Sequence, residues 1–121
     1  MGAPSRVLLA HQSQTFIETY LGTEKLVKHT ERTITDVEKL KNELEQIKAK
    51  GYVLSDSEVD VDAKAISAPI FDRKGKILAG LAIAGPNRRM GKDITPILIR
   101  LVKDRAMKIS RELGYVDKRT G

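Results

Sequence analysis

Few residues of this chain have the type and spacing that catalysis or metal binding requires. The two histidines, His11 and His29, stand apart from each other and from any obvious carboxylate partner. We therefore interpret both as surface or helix-end histidines rather than as metal ligands or catalytic bases. Cysteine is absent, which excludes disulfides, thiolate metal sites and thiol nucleophiles.

The acidic segment SDSEVDVD at residues 55–62 is a second candidate for metal binding. Its carboxylates are spaced as in some calcium loops, but the glycine and the distal glutamate that close an EF-hand loop are missing. We therefore predict an acidic connection over residues 58–62 and no metal or cofactor. A nucleophile elbow, a glycine-rich phosphate loop and a paired histidine and carboxylate are also missing, so we predict a protein without catalytic activity.

The formal net charge of +6 is distributed unevenly over the 121 residues. Residues 51–72 carry one Lys or Arg and five Asp or Glu, whereas residues 73–121 carry thirteen and four. The basic part has two interpretations: a nucleic-acid surface with contacts from Arg88, Arg89 and Lys92, or a solvated helix face with basic loops. We favour the second, because no DNA-docking motif accompanies the charge and aromatic residues for base stacking make up only 4% of the chain.

The stretch of residues 51–86 is predicted to hold a strand at residues 52–57 followed by a β-hairpin. Both hairpin arms alternate bulky and small side chains, so one face of the hairpin is bulky and the other is shallow. Residues 72–75, Asp-Arg-Lys-Gly, are typical of a turn. A hairpin closed on these four residues places small residues opposite each other on the two strands. The predicted pairs are Phe71 with Lys76, Ser67 with Gly80, Ala65 with Ala82, and Ala63 with Ala84.

Helices are predicted on both sides of this hairpin. Two short pieces broken near residues 11–14 come first, and residues 1–5 are expected to lack order of their own. An amphipathic helix follows from the Thr35 and Glu38 capping box to Gly51. The last helix spans about residues 96–113, with Thr95 as its N-cap. Its apolar residues are expected to form one stripe: Ile94, Ile97, Leu98, Leu101, Val102, Ala106, Ile109 and Leu113.

This order of elements predicts an α+β domain with an antiparallel sheet and helices packed on it. The length of 121 residues suits a single domain, residues 1–121. We find no apolar run of the roughly 20 residues that a membrane-spanning helix needs, and no signal peptide. We therefore expect a soluble, cytoplasmic protein.

Over residues 3–115 the chain closely resembles the effector-binding domain of the IclR family of transcriptional regulators. The residues that carry the resemblance have the spacing of that family's signature: Gly51, Ser55, Glu58, Ala65-Ile66-Ser67 and Ile70-Phe71-Asp72. The segments RVLLA at 6–10, GLAIAGP at 80–86 and ISRELGY at 109–115 extend it, together with Gly75. The resemblance implies a GAF-like α+β fold and a role in transcription regulation.

In that family a winged helix precedes a GAF-like domain that binds a small organic effector, often a carboxylate, and mediates oligomer contacts. The resemblance therefore implies a small-molecule partner, a homo-oligomer (dimer or tetramer), and DNA contact through a winged helix that this sequence does not contain. The sequence also begins after the position of the family's first effector-domain strands. Because a shortened sheet exposes an edge and apolar surface, we expect self-association.

The resemblance places the effector among residues that the hairpin pattern puts on its shallow face or near it. These residues are Ser55, Ala63, Ala65, Ala82 and Ala84, with the backbone near Ala3 and Pro4 closing the site. Family members that bind small carboxylates tend to have Asp, Cys and Ser there. We therefore expect an effector more apolar or larger than a two- or three-carbon acid, or a pocket that has lost its function. A nucleic-acid-binding protein and a GAF-fold enzyme are the alternatives.

Overall fold

A computed structural model of the chain describes residues 2–23, 37–56 and 62–116. These residues form four helices, a 3₁₀ turn and a three-stranded antiparallel sheet, which confirms the predicted α+β fold. The helices are α1 (Ala3–Ala10), α2 (Gln14–Thr23), α3 (Val37–Lys50) and α4 (Thr95–Glu112). The strands are β1 (Val53–Asp56), β2 (Ala63–Phe71) and β3 (Ile77–Pro86), and the 3₁₀ turn is Asn87–Arg89.

The sheet has the order β1-β2-β3. The predicted register of its hairpin is wrong by one residue at Phe71, next to the turn, and by two residues over the rest of the hairpin. Small residues still meet across the strands, because a shift by an even number leaves every side chain on its predicted face. The observed pairs are Phe71 with Ile77, Ser67 with Ala82, Ala65 with Ala84, and Ala63 with Pro86. The predicted segregation of small and bulky residues therefore survives the error in register.

Two local features cause the shift of register. The N–H of Asp72 donates to the carbonyl oxygen of Lys76 at 2.9 Å, so the turn is one residue shorter than predicted. Gly75 has a φ of +83° in this turn, a left-handed conformation that glycine adopts without a steric penalty. Next to the turn, Ile70 pairs with Ala79 and Phe71 with Ile77, so Leu78 is an extra, bulged residue on β3.

One face of the sheet packs against α4 and is filled with branched side chains. Ile66, Ile70, Val102 and Ala106 are buried in this layer. Ser110 of α4 is 0% exposed. Its Oγ accepts a hydrogen bond from the N–H of Phe71 at 2.9 Å and donates to the carbonyl oxygen of Ala106 at 2.9 Å. The buried hydroxyl therefore has both a donor and an acceptor partner, and its bond to Phe71 joins α4 to the end of β2.

One prediction about α4 is wrong, that of its N-cap. Thr95 is the first residue of the helix rather than its N-cap, and its Oγ1 lies 2.9 Å from the carbonyl oxygen of Met90 and 2.8 Å from that of Gly91. The apolar stripe is only partly buried, because the sheet covers one flank of the helix and leaves the other open. The residues exposed on or beyond the open flank are Ile94, Ile97, Leu101 and Leu113, of which Ile97 is 62% exposed.

The opposite layer of the molecule consists of α1 and α3. Their core contains Val7 and the predicted apolar positions of α3, namely Leu40, Leu44 and Ile47. Arg6 of α1 is buried and forms an ion pair with Glu43 of α3. Burial raises the pKa of Glu43 above its ordinary value of 4.5, although the charge of Arg6 and its hydrogen bond act in the opposite direction.

The expectation that residues 1–5 lack order is wrong from Ala3 onward. Ala3 is the first residue of α1 and is buried, because its small side chain packs in the core of this layer. The predicted break between the first two helices is confirmed, since α1 ends at Ala10 and α2 begins at Gln14. Gly51 follows α3 with a φ of +81°, the left-handed conformation of many helix ends.

Several predicted features lie outside the described residues. They are the capping residue Thr35, the second histidine His29 and the greater part of the acidic connection at residues 58–62. Among the helices that the structure describes, none combines the length and the apolar character that crossing a membrane requires.

Candidate functional site

The sheet surface turned toward α1 carries small side chains on all three strands. The alternation along each strand and the observed register place six of them on this surface. We call it the small-residue face: Ser55, Ala63, Ala65, Ser67, Ala82 and Ala84. It lies opposite the face that packs its branched side chains against α4.

The small-residue face is covered at one side and open at the other. Ser55 of β1 is 5% exposed and Ser67 of β2 is 0% exposed, whereas Ala82 and Ala84 of β3 are exposed. The helix α1 contacts all three strands on this side. The face therefore forms a shallow floor that α1 covers near β1 and β2 and that is accessible from β3.

The N-terminus of α1 approaches β3 most closely at Gly80. A Cβ atom at this position would lie 2.9 Å from the Oγ of Ser67 and 3.4 Å from the Cα of Pro4. The contact of 2.9 Å is shorter than Cβ contacts in proteins, so a side chain at residue 80 would force Ser67 or the strand to shift, whereas 3.4 Å is an ordinary contact. Pro4 and Ser67 both lie close to Gly80, where residue 80 has no side chain.

Ser67 is the most unusual polar group of this site. Its Oγ is buried, and it has no hydrogen-bond partner within the described parts of the chain. Leaving a buried hydroxyl unsatisfied costs about 1–3 kcal/mol, so such groups are rare and often mark a place where a ligand or water completes the bonding. Ser67 is therefore the one polar side chain of the small-residue face that is buried without a partner among the described residues.

The structure brings together the residues that sequence reasoning proposed for the effector. Ser55, Ala63, Ala65, Ala82 and Ala84 share the small-residue face. Ala3 belongs to the core cluster beside it, and Pro4 lies against Gly80. That these residues bind an effector stays a prediction.

Sequence reasoning missed Ser67 and Gly80 as site residues. The strict alternation from Ala63 through Ala65 would have included Ser67, since every second residue of β2 points to the same face. Gly80 alternates with Ala82 and Ala84 in the same way along β3. Periodicity could therefore have placed both residues on this face, whereas the closeness of α1 to Gly80 is seen only in the tertiary structure.

The cationic residues proposed for nucleic-acid contact lie on the segment after β3. Arg88, Arg89 and Lys92 are exposed there. The segment is held to the sheet, because Lys64 Nζ donates to the carbonyl oxygen of Met90 at 2.8 Å. None of the three belongs to the small-residue face, and nucleic-acid contact stays a prediction.

His11 directly follows α1, in agreement with the interpretation of a helix-end histidine. Its Nδ1 lies 2.9 Å from the carbonyl oxygen of Val7, which requires Nδ1 to carry the proton. The ring packs edge-on against Phe71 with a centroid distance of 5.2 Å. In the described ranges, no three His, Asp or Glu side chains lie together in a way that could hold a metal ion.

Comparison with known proteins gives a consistent set of relatives. Residues 1–111 match the family described as bacterial transcriptional regulator IclR C-terminal. The chain is 40% identical over 114 residues to the HTH-type transcriptional regulator KipR of Bacillus subtilis, a match that covers 94% of this chain and 46% of the relative. The chain spans about half the length of the curated relatives that it matches first.

Solved structures show the same relationship. The C-terminal domain of the Escherichia coli transcriptional regulator KdgR is 33% identical, with a TM-score of 0.85 over 93% of this chain and 69% of that chain. The IclR protein of Thermotoga maritima is also 33% identical, with a TM-score of 0.87 over 93% of this chain and 46% of that chain. Because sequence and fold agree over nearly its whole length, the chain belongs to the family of C-terminal domains of IclR-type bacterial transcriptional regulators.

Proposed function

We propose that this chain is the effector-binding part of an IclR-type transcriptional regulator. On this proposal it binds a small organic molecule on the small-residue face and catalyses no reaction. One observation carries the proposal: the small-residue face is accessible from β3, and it includes Ser67, whose buried hydroxyl has no partner within the described residues. The matched relatives support the regulatory role, since they are named as transcriptional regulators rather than enzymes.

The chemistry of the face favours an effector that is more apolar or larger than a two- or three-carbon acid. Ala63, Ala65, Ala82 and Ala84 offer methyl groups and no hydrogen-bond donors. The hydroxyls of Ser55 and Ser67 are the side-chain donors that this face supplies. Each methylene of a ligand that is buried on such a surface contributes about 0.8 kcal/mol, which corresponds to about a fourfold gain in affinity.

Isothermal titration with 2-oxoacids of increasing chain length tests this proposal. We expect glyoxylate and pyruvate to bind weakly, and affinity to rise by up to about fourfold for each added methylene until the floor is filled. The substitution Ala84→Leu should abolish binding, because its larger side chain occupies the exposed part of the floor.

A gain of function provides the second arm of this experiment. The double substitution Ala82→Ser and Ala84→Ser adds two hydroxyl groups and should improve glyoxylate binding. Ala49→Ser, at an exposed position of α3, is the matched control and should change nothing. Tight binding of glyoxylate or pyruvate by the unsubstituted chain would contradict the apolar preference, and binding that survives Ala84→Leu would exclude the small-residue face.

We also propose that copies of the chain associate with each other. Support comes from the exposed apolar flank of α4, where Ile94, Ile97 and Leu101 are 42%, 62% and 41% exposed. In the described residues β3 pairs only with β2, so its other edge offers unpaired backbone groups.

Light scattering at tens of micromolar protein should report at least a dimer, and the charged substitution Ile97→Glu should shift the mass toward the monomer. A monomeric mass for the unsubstituted chain would refute this.

A further inference from the structure

A cleft of about 430 Å³ lies at the end of β2 that is remote from Ala63 and Ala65. It exists because β2 extends beyond β1: Val53, the first residue of β1, pairs with Ser67, and the last four residues of β2 continue without a partner from β1. Pro69 lies in this extension, where its lack of an N–H leaves no donor unpaired. This part of β2, which has no partner from β1, forms one wall of the cleft.

Three lysines from two helices line the cleft. Lys48 and Lys50 come from the last turn of α3, and Lys103 comes from α4. Lys103 extends past Gly51, with its Cε 3.5 Å from the place that a Cβ of residue 51 would take, and its Nζ lies 5.7 Å from the ring centroid of Tyr52. The absence of a side chain at residue 51 thus leaves room for the chain of Lys103, whose ammonium group lies over the ring of Tyr52 at the margin of the cleft.

No acidic residue balances these charges at the cleft. Among the described residues that line it none is Asp or Glu, and none of the three lysines forms an ion pair within the described parts of the chain. Glu45 shares a neighbouring depression with Lys48, and Asp104 shares another with Lys103, but neither carboxylate lines the cleft. A concave surface that collects charge of one sign attracts ligands of the other sign.

The remaining wall of the cleft is apolar and largely aromatic. Phe71 and Tyr115 pack with a centroid distance of 4.9 Å and an angle of 32° between their rings, and Met107 lies beside them in the same cleft. Aromatic rings and a thioether provide a flat apolar contact surface. The cleft volume falls within the range of small-molecule sites and is too small for a folded partner.

We propose that this cleft binds an organic anion that has at least two negative charges and a flat ring. The ammonium groups of Lys48, Lys50 and Lys103 face the charges, and the wall formed by Phe71 and Tyr115 receives the ring. The site shares no residue with the small-residue face. The two sites are neighbours on β2, because Ala68 and Pro69 of the cleft follow directly after Ser67, but no residue lines both. The proposal is therefore independent of the proposed effector site.

A titration of the full chain with benzene-1,3-dicarboxylate, followed by nuclear magnetic resonance and calorimetry, tests this inference. We expect saturable shifts of the backbone amides of Gly51, Phe71 and Lys103. Benzoate, with one charge, should bind about tenfold more weakly, and sulfate, which has no ring, should also bind more weakly. Lys50→Gln and Lys103→Gln should each weaken dicarboxylate binding by about fivefold.

Two control variants make the outcome specific to the cleft. Lys108→Gln removes an exposed charge from α4 outside the cleft and should leave the affinity unchanged. Ala84→Leu alters the small-residue face and should also have no effect. Absence of saturable shifts up to about 10 mM ligand would refute the proposal. Equal weakening by Lys108→Gln, equal affinity for sulfate, or loss of binding in Ala84→Leu alone would refute it as well.

Discussion

The two faces of the sheet are built from the same three strands but are filled to different degrees. Toward α4, branched side chains such as Ile66 and Ile70 are buried, and the buried Ser110 has both a donor and an acceptor partner. Toward α1, the strands carry alanine and serine, and the hydroxyl of Ser67 is buried without a partner among the described residues. The first face is therefore the more completely filled of the two, and binding of a ligand at the second is a proposal.

Truncation of the filled face should have the largest effect. Ile66→Ala removes a side chain that is 0% exposed, and we expect the free energy of unfolding to fall by about 3–4 kcal/mol. Leu78→Ala is the matched control, since Leu78 is 58% exposed and its truncation should cost less than about 1 kcal/mol. Urea denaturation measures both values. Similar losses for the two variants would contradict the proposed division of roles.

Ser67 and Ser110 are both fully buried, one on each face of the sheet, and their substitution compares the hydrogen bonding of the two faces. Ser110→Ala leaves the partly buried N–H of Phe71 without its acceptor and should cost about 1–3 kcal/mol. Ser67→Ala removes a hydroxyl that has no partner within the described chain, so stability should stay equal or rise by up to about 1 kcal/mol. Both are measured by thermal and urea unfolding without ligand. A larger loss for Ser67→Ala than for Ser110→Ala would reverse the comparison.

The contact between α1 and β3 gives a smaller, coupled effect. Gly80→Ala places a Cβ 2.9 Å from the Oγ of Ser67, and we expect a loss of about 1–2 kcal/mol. Adding Ser67→Ala removes the closest atom, so the double variant should recover part of this loss. The coupling energy from the double-mutant cycle is the measurement. Strictly additive losses would show that the backbone of Pro4, rather than Ser67, causes the penalty.

The ion pair between α1 and α3 should produce the smallest effect, visible as a dependence of stability on pH. Burial raises the pKa of Glu43 above 4.5 in the folded chain, so the folded state holds a proton that the unfolded state has already released. The free energy of unfolding of the unsubstituted chain, compared with that of the Glu43→Gln variant, should therefore decrease as the pH rises from 4.5 through the raised pKa. Urea denaturation of both proteins between pH 4 and pH 7 measures this. An increase over the same range would show that Arg6 outweighs burial.

Local sequence patterns predicted the elements of the fold and the side-chain composition of both faces. The spacing of Leu40, Leu44 and Ile47 gave the buried side of α3, and alternation gave the faces of β2 and β3. The register was missed because one bulged residue and a shorter turn shift it without changing the alternation. The exposed flank of α4 was missed as well, because periodicity shows which residues are apolar but not which of them a neighbour covers.

The two candidate sites differ in the same way. The small-residue face lies on neighbouring strands, so alternation alone could assemble most of it. The cleft brings together Lys50, Phe71, Lys103 and Tyr115 from separate segments of the chain. No spacing in the sequence relates these four residues, and only the tertiary structure places them around one volume.

The bulge at Leu78 has a consequence for insertions and deletions in this hairpin. Because Leu78 has no partner on β2, deleting it lets Ile77 and Ala79 pair in sequence with Phe71 and Ile70. The rest of β3 then keeps its orientation. A deletion at a paired position further along β3 instead turns part of the strand over and exchanges alanines with the branched residues that face α4. In a library of single-residue deletions, residue 78 should therefore be the permissive position of β3.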